Sequence, residues 1–273
     1  MIKEHDPKHN DFTQGFDQIY FVMVAPSHPG NVGAAARALK TMGFNRLVLV
    51  GAKPSIIAHP DAIAMASGAL DVLEHTLIMP DLATALAPAH LCFALTARTR
   101  YIGPPACTIR TAAQQAARSI SQQQATIALV VGTERVGLSN DEILHCHYLC
   151  HIPANKDYSS LNVAQALQLA AWEFRYALLD GDGHTQDNDA HLLPTPIKGI
   201  KHQRQGPART EQVDAFLQHW FEALEALEVI TPDSPKKIPA RMTQLFRRLQ
   251  LQEDEVSLMR GICSAILKKC HNR

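Results

Sequence analysis

Along the first two thirds of the chain, short and nearly continuous apolar runs alternate with stretches whose apolar positions recur every three or four residues. The runs occupy residues 19–24, 46–50, 91–95, 126–131 and 148–152 and are rich in β-branched and aromatic side chains. Runs of that length suit strands covered on both faces. The stretches between them, 32–42, 62–74, 82–87, 109–123 and 141–145, read as helices. Alternation of this kind predicts an α/β domain, a mostly parallel sheet with helices on both sides.

An amphipathic helix over 162–179 closes this domain, with Val163, Ala166, Leu167, Ala170, Phe174, Ala177 and Leu178 at helical spacing. Residues 181–209 lose the period and collect Gly, Asp, His and Pro, which marks a linker. Beyond it, three apolar stripes predict three helices that bury them in a small bundle. They run Val213 to Leu227, Met242 to Leu249 and Leu258 to Leu267. The expected organisation is a domain over 1–180, a linker over 181–209 and a helical unit over 210–273.

Composition adds three points. Lys+Arg and Asp+Glu balance at 26 each, yet residues 196–273 hold a basic excess that the preceding residues offset. Phosphate contacts are therefore expected in the tail, where Arg241 and Arg248 share a helix face with Arg247 beside them. Solvated helix faces account for the same excess equally well by composition alone. Six cysteines, Cys92, Cys107, Cys146, Cys150, Cys263 and Cys270, include no C-x-x-C pair and read as reduced thiols. The first residues are polar, and no apolar run approaches the ~20 residues of a membrane span, so a cytoplasmic protein is expected. The cluster from His145 to His151 tempts one towards a metal. On a strand, however, Cys146 and Cys150 would face away from His147 and His151, leaving core cysteines and edge histidines, and no metal is expected.

Three polar loops could carry chemistry. The first, Ser27-His28-Pro29-Gly30-Asn31-Val32-Gly33 running on to Arg37, follows the first strand, where a helix start can present amides to an anion. Read alone, Asn31 is an N-cap and Arg37 a solvated side chain. The segment is neither a Walker A loop nor G-x-G-x-x-G, and residues 47–54 hold no acid for a ribose, which disfavours a dinucleotide oxidoreductase. The second loop, Gly132-Thr133-Glu134-Arg135-Val136-Gly137-Leu138, puts glycine at a strand's carboxyl end, where a backbone can approach a ligand. Alone it is a simple turn. The third runs Ile152-Pro153-Ala154-Asn155-Lys156-Asp157-Tyr158-Ser159-Ser160-Leu161-Asn162, and by themselves its serines are N-caps.

In combination and in this order, N-x-G-x-x-x-R, G-T-E-x-x-G-L-S and I-P-x-N-K-D-Y-S-S-L-N-V-A resemble the three motifs of the SpoU branch of the SPOUT methyltransferases. The tail, with Leu245-Phe246-Arg247-Arg248-Leu249, is similar to the C-terminal extension of one subfamily, whose members methylate the 2′-hydroxyl of cytidine or uridine at position 32 of the tRNA anticodon loop. The resemblance implies a trefoil knot, a homodimer, and S-adenosylmethionine as cofactor. Its cofactor loops correspond to Leu95, Thr96 and Ala97, to Gly132, and to Ile152, Ser159, Ser160, Leu161 and Asn162. It also implies catalytic roles for Arg37, Asn31, Glu134 and Ser160, and tRNA contacts from Arg37, Arg241, Arg247 and Arg248.

A guanidinium resists deprotonation, so Arg37 is expected to grip a phosphate beside the target ribose rather than to act as a base. Two other readings stand beside this one: methylation of another tRNA position or of ribosomal RNA, and an RNA-binding protein that has kept the fold without the activity. The joint presence of Asn31, Arg37, Glu134, Ser160 and Asn162 favours an enzyme.

Overall fold

The computed structural model describes residues 15–98, 103–155, 157–179, 206–231 and 237–271. In chain order its elements are β1 (Ile19–Val24), α1 (Pro29–Thr41), β2 (Leu47–Val50), α2 (Pro60–Ala66), α3 (Leu70–Glu74), β3 (Leu77–Met79), α4 (Leu82–Leu86), β4 (Leu91–Leu95) and β5 (Ala106–Thr108). There follow α5 (Ile109–Gln123), β6 (Ile127–Val131), α6 (Asn140–Leu144), β7 (Tyr148–His151), α7 (Val163–Leu179), α8 (Thr210–Ala226), α9 (Ile238–Arg248) and α10 (Glu253–His271). The strands form one seven-stranded sheet in the order β3-β2-β1-β6-β4-β7-β5, and every pairing is parallel.

Both faces of the sheet are covered, which is why its central strands read as unbroken apolar runs. Ile19, Phe21 and Met23 of β1 enter one core with Ala35, Ala36 and Leu39 of α1 and Leu167, Ala170 and Phe174 of α7. Tyr20, Val22 and Val24 enter the other with Leu82 and Leu86 of α4 and Ile143 of α6.

Two short strands, β3 and β5, have no counterpart among the runs of the sequence. Each has three residues at an edge of the sheet, too few to show a period. The single helix expected over 62–74 is two. Ser67 adopts φ 51° and ends α2, and the Gly68 carbonyl is taken by Lys40 Nζ at 3.0 Å.

The cysteine and histidine cluster also differs from the alternating strand expected. Cys146 precedes β7 and joins the second core, whereas Cys150 joins the first, so the two do not share a face. His147 is buried, not at an edge, and its Nδ1 accepts the Cys92 amide at 3.0 Å. Burial, the Arg247 charge and His90 push its pKa down to about 3.

The three tail helices have their own core, in which Phe216 and Phe246 meet edge to face at 4.7 Å. The stripes are not buried throughout, however: Leu227, Leu249, Leu258 and Ile262 are exposed. The unit is fastened to the amino-terminal edge of the sheet. Thr210 donates its amide and its hydroxyl to the Ala89 carbonyl, at 2.8 and 2.7 Å, just before β4. Arg247 donates to the His145 carbonyl at 2.8 Å and pairs with Asp214. Residues 180–205, which hold most of the expected linker, lie outside the described residues. At its end, Ala208 donates to the Leu251 carbonyl and so already belongs to the helical unit.

Candidate active site

The parallel register brings the carboxyl ends of four strands level. Met23 of β1 and Leu95 of β4 both lie beside Val131 of β6, and Leu95 lies beside Cys150 of β7. All three polar loops therefore leave the same edge, opposite the docked helical unit. Leu95 is buried; Thr96 beyond it donates its amide to the Cys150 carbonyl at 2.9 Å and accepts the Arg98 amide on its hydroxyl at 3.1 Å, with Ala97 exposed between them.

Hydrogen bonds tie the loops after β1, β6 and β7 together. Glu134 accepts from the Ser27 hydroxyl at 2.8 Å, the Ser27 amide at 3.2 Å, the His28 amide at 3.3 Å and Asn31 Nδ2 at 3.1 Å. Asn31 Oδ1 in turn accepts from Asn162 Nδ2 at 3.0 Å. The Oδ1 of Asn162 accepts the Ala164 amide at 2.9 Å and the Gln165 amide at 3.4 Å at the start of α7. Burial of the Glu134 carboxyl raises its pKa, but the hydrogen bonds from Asn31, from its own backbone and from Ser27 outweigh this and hold it below the ordinary carboxylate value.

Two expectations change here. Asn31 is not the N-cap of α1: His28 occupies that position with extended backbone, Pro29 is the first helical residue, and the Asn31 side chain lies inside the first turn. The anion at this helix start is Glu134 of the protein itself, so the amides of Ser27 and His28 are already engaged. Gly132, too, serves its own loop. A Cβ there would sit 2.1 Å from the Gly137 carbonyl carbon and 2.2 Å from the Leu138 nitrogen. The loop folds back on itself through a Thr133–Gly137 bridge, which directs Glu134 towards α1.

Arg37 lies on the exposed side of α1, about 9 Å further along the axis than Asn31. In the third loop Ser160, Leu161 and Asn162 are exposed, while Ser159 and Ile152 are half-buried. Lys156 lies outside the described residues. In the tail, Arg241 and Arg248 are exposed but Arg247 is not: its side chain is 4% exposed and committed to Asp214 and the His145 carbonyl. That overturns its expected contact with RNA. Spacing alone placed it beside Arg248, whereas α9 turns position 247 into the seam with the sheet.

Ser27 is the site residue that sequence reasoning passed over. It stands between Pro26 and Pro29 at a helix start, but nothing within a few positions points to the Glu134 carboxylate that it meets. Among the described residues, no group of three or more His, Cys, Asp and Glu side chains is placed to hold a metal ion.

A parallel α/β sheet whose polar loops converge at the carboxyl edge is of the class that binds its ligands outside the ends of those strands. The comparisons name the family. Residues 18–172 match the SpoU rRNA Methylase family and residues 211–273 match the tRNA methyltransferase TrmJ, C-terminal domain. The chain is 36% identical over 259 residues to the tRNA (cytidine/uridine-2'-O-)-methyltransferase TrmJ of Pectobacterium atrosepticum, covering 92% of this chain and 98% of that protein. Among solved structures it is similar to TrmJ from Z. mobilis ZM4, with a TM-score of 0.72 and 27% identity over 90% of this chain and 98% of the other. A probable methyltransferase from Bordetella pertussis Tohama I is 60% identical over 61% of this chain and 99% of its own, with a TM-score of 0.59. The chain belongs to the SpoU methylase family and is a methyltransferase.

Proposed function

We propose that this chain transfers a methyl group from S-adenosylmethionine to the 2′-hydroxyl of a cytidine or uridine in the tRNA anticodon loop, at position 32. The observation that carries the reading is the hydrogen-bonded chain Glu134–Asn31–Asn162, which joins three sequence-distant motifs into one constellation at the sheet's carboxyl edge. Relatives that match 91–92% of this chain are named tRNA (cytidine/uridine-2'-O-)-methyltransferase.

The residues present fit the cofactor. Backbone groups of Thr96, Gly132, Ile152 and Leu161, the hydroxyls of Ser159 and Ser160, and the exposed apolar surface of Leu161 make a neutral donor set, suited to an adenine and a ribose. Bound there, adenosylmethionine supplies an activated methyl group on a sulfonium.

The protein's part is alignment and deprotonation. Arg37 grips a phosphate next to the target ribose and orients its hydroxyl, Ser160 lies beside that hydroxyl, and the proton leaves to an adjacent group or water. Glu134 is not the acceptor, because four donors already occupy its carboxylate. The exposed Arg241 and Arg248 bind tRNA phosphates away from the reacting ribose.

The working form is a homodimer of cytoplasmic, trefoil-knotted domains. The strand order supports the knot, since β7 lies between the consecutive strands β4 and β5. Leu169, Trp172, Tyr176 and Leu179 support the dimer: they form an exposed apolar face on α7, with the two aromatic rings stacked 6.4 Å apart.

The deciding experiment incubates the protein with labelled adenosylmethionine and unmodified tRNA and maps 2′-O-methylation by mass spectrometry, with Arg37→Ala in parallel. A mark in the anticodon loop that disappears in the variant supports the reading. Transfer to ribosomal RNA or to another tRNA position replaces the substrate, and absence of any transfer overturns it.

A further inference from the structure

Each loop of the site meets its neighbour through an amide side chain, and an amide can present either its oxygen or its nitrogen. Here the choice is fixed at both ends. Ionised Glu134 only accepts, so Asn31 must turn its Nδ2 towards it and its Oδ1 towards Asn162. At the other end the amides of Ala164 and Gln165 can only donate, so Asn162 keeps Oδ1 for them and offers Nδ2 to Asn31. The direction of the Asn31–Asn162 bond is thus fixed by the Glu134 carboxylate at one end and by the amides of α7 at the other.

The segment that seats Glu134 is stiff. Ala25 holds φ 43° immediately before Pro26, a conformation disfavoured both for a residue with a Cβ and for one preceding proline. Its amide is anchored to the Val50 carbonyl at 2.8 Å, and Pro29 fixes the first residue of α1. Between these points lies Ser27, which gives Glu134 the shortest of its contacts, 2.8 Å from the hydroxyl, as well as its amide. Ser27 is exposed, so its side chain has no packing role that would explain it otherwise.

We propose that Ser27 is a positioning residue for methyl transfer: by seating the Glu134 carboxylate on the start of α1, it holds the acceptor that fixes Asn31, and so the bond by which Asn31 receives Asn162 and the third loop. The inference rests on the reaction proposed above. Among the described residues, the charged or titratable side chains of the elements around Glu134 are His28, Arg37 and Lys40 of the α1 segment, Arg135 of its own loop, Asp157 and Tyr158 of the third loop, and Glu173, Arg175 and Tyr176 of α7.

The test compares Ser27→Ala and Ser27→Thr in the full chain. Titration of the Glu134 side chain by carbon-13 NMR, without cofactor or RNA, is expected to move upward in Ser27→Ala and to return in Ser27→Thr. With labelled adenosylmethionine and tRNA, kcat is expected to fall about tenfold in Ser27→Ala with KM for RNA unchanged, and to recover with threonine. An unchanged Glu134 titration, or a loss carried wholly by KM, overturns the proposal. If the unsubstituted chain transfers no methyl group, the reaction assignment fails, and the NMR comparison still decides the role of Ser27.

Discussion

Arg247, near the end of α9, donates to the backbone carbonyl of His145 at 2.8 Å, so that the helical unit is bolted to the sheet domain by a buried cation. Asp214 of α8 supplies the countercharge. Burial raises the Asp214 pKa while Arg247 and His145 lower it, and burial prevails. The Arg247 side is enclosed while Asp214 is a third exposed, so removing Asp214 leaves a buried cation with only the His145 carbonyl as partner. Asp214→Ala is therefore expected to lower unfolding stability by on the order of 3 kcal/mol in urea titrations, whereas Arg241→Ala and Arg248→Ala stay within about 0.5 kcal/mol.

The same seam predicts acid sensitivity. His147, His90 and His145 all have lowered pKa values, first through burial and then through neighbouring Arg247 or, for His90, Arg209. A histidine whose folded pKa lies below its unfolded value, near 6.5, binds fewer protons in the folded state, so its contribution is lost as pH falls below about 6.5. For His147 the loss continues down to about 3. Stability is expected to fall by roughly 2 kcal/mol between pH 7 and pH 5 from this residue alone. Denaturant midpoints that do not change over that range would contradict the assignment.

Two glycines tolerate no side chain. A Cβ on Gly33 would sit 2.0 Å from the Ala62 carbonyl oxygen of α2, and one on Gly132 would strike the backbone of Gly137 and Leu138. Gly33→Ala must separate α1 from α2, and Gly132→Ala must open the loop that carries Glu134. Each is expected to cost at least about 2 kcal/mol or to abolish methyl transfer, while Gly206→Ala, which meets nothing within 4 Å, leaves both unchanged. Thermal melts and transfer assays on the three variants separate these outcomes.

Asn31→Asp places a second carboxylate where Glu134 needs a donor. Repulsion then breaks the chain to Asn162 as well, so this variant is expected to be at least as impaired as Asn31→Ala, about 10- to 100-fold in kcat. Aspartate that preserved turnover would show that the hydrogen-bonded chain is not needed.

Trp172→Glu tests the proposed dimer. The side chain is 52% exposed, so the substitution spares the core and sets a charge in the centre of the apolar α7 face. Light scattering is expected to show a monomer and methyl transfer to fall with it; a dimer that survives would move the interface elsewhere.

Much of this was legible in the chain. The unbroken apolar runs named β1, β2, β4, β6 and β7 because strands buried on both faces admit little else. The three motifs, through the family they resemble, pointed to Asn31, Glu134 and Asn162, which hydrogen bonds join here. Ser27 was passed over because its role depends on a partner 107 positions away.

The sequence by itself determined local matters: where the buried strands and most helices form and which loops carry polar chemistry, since each depends on residues within a few positions. Only the tertiary structure decided that Arg247 is a buried bolt and Arg248 a free surface charge, that α1's amino end holds Glu134, and that the tail sits on the edge opposite the loops. Those outcomes depend on which long-range surfaces meet in a parallel sheet of order β3-β2-β1-β6-β4-β7-β5, and neighbours in the chain carry no record of that pairing.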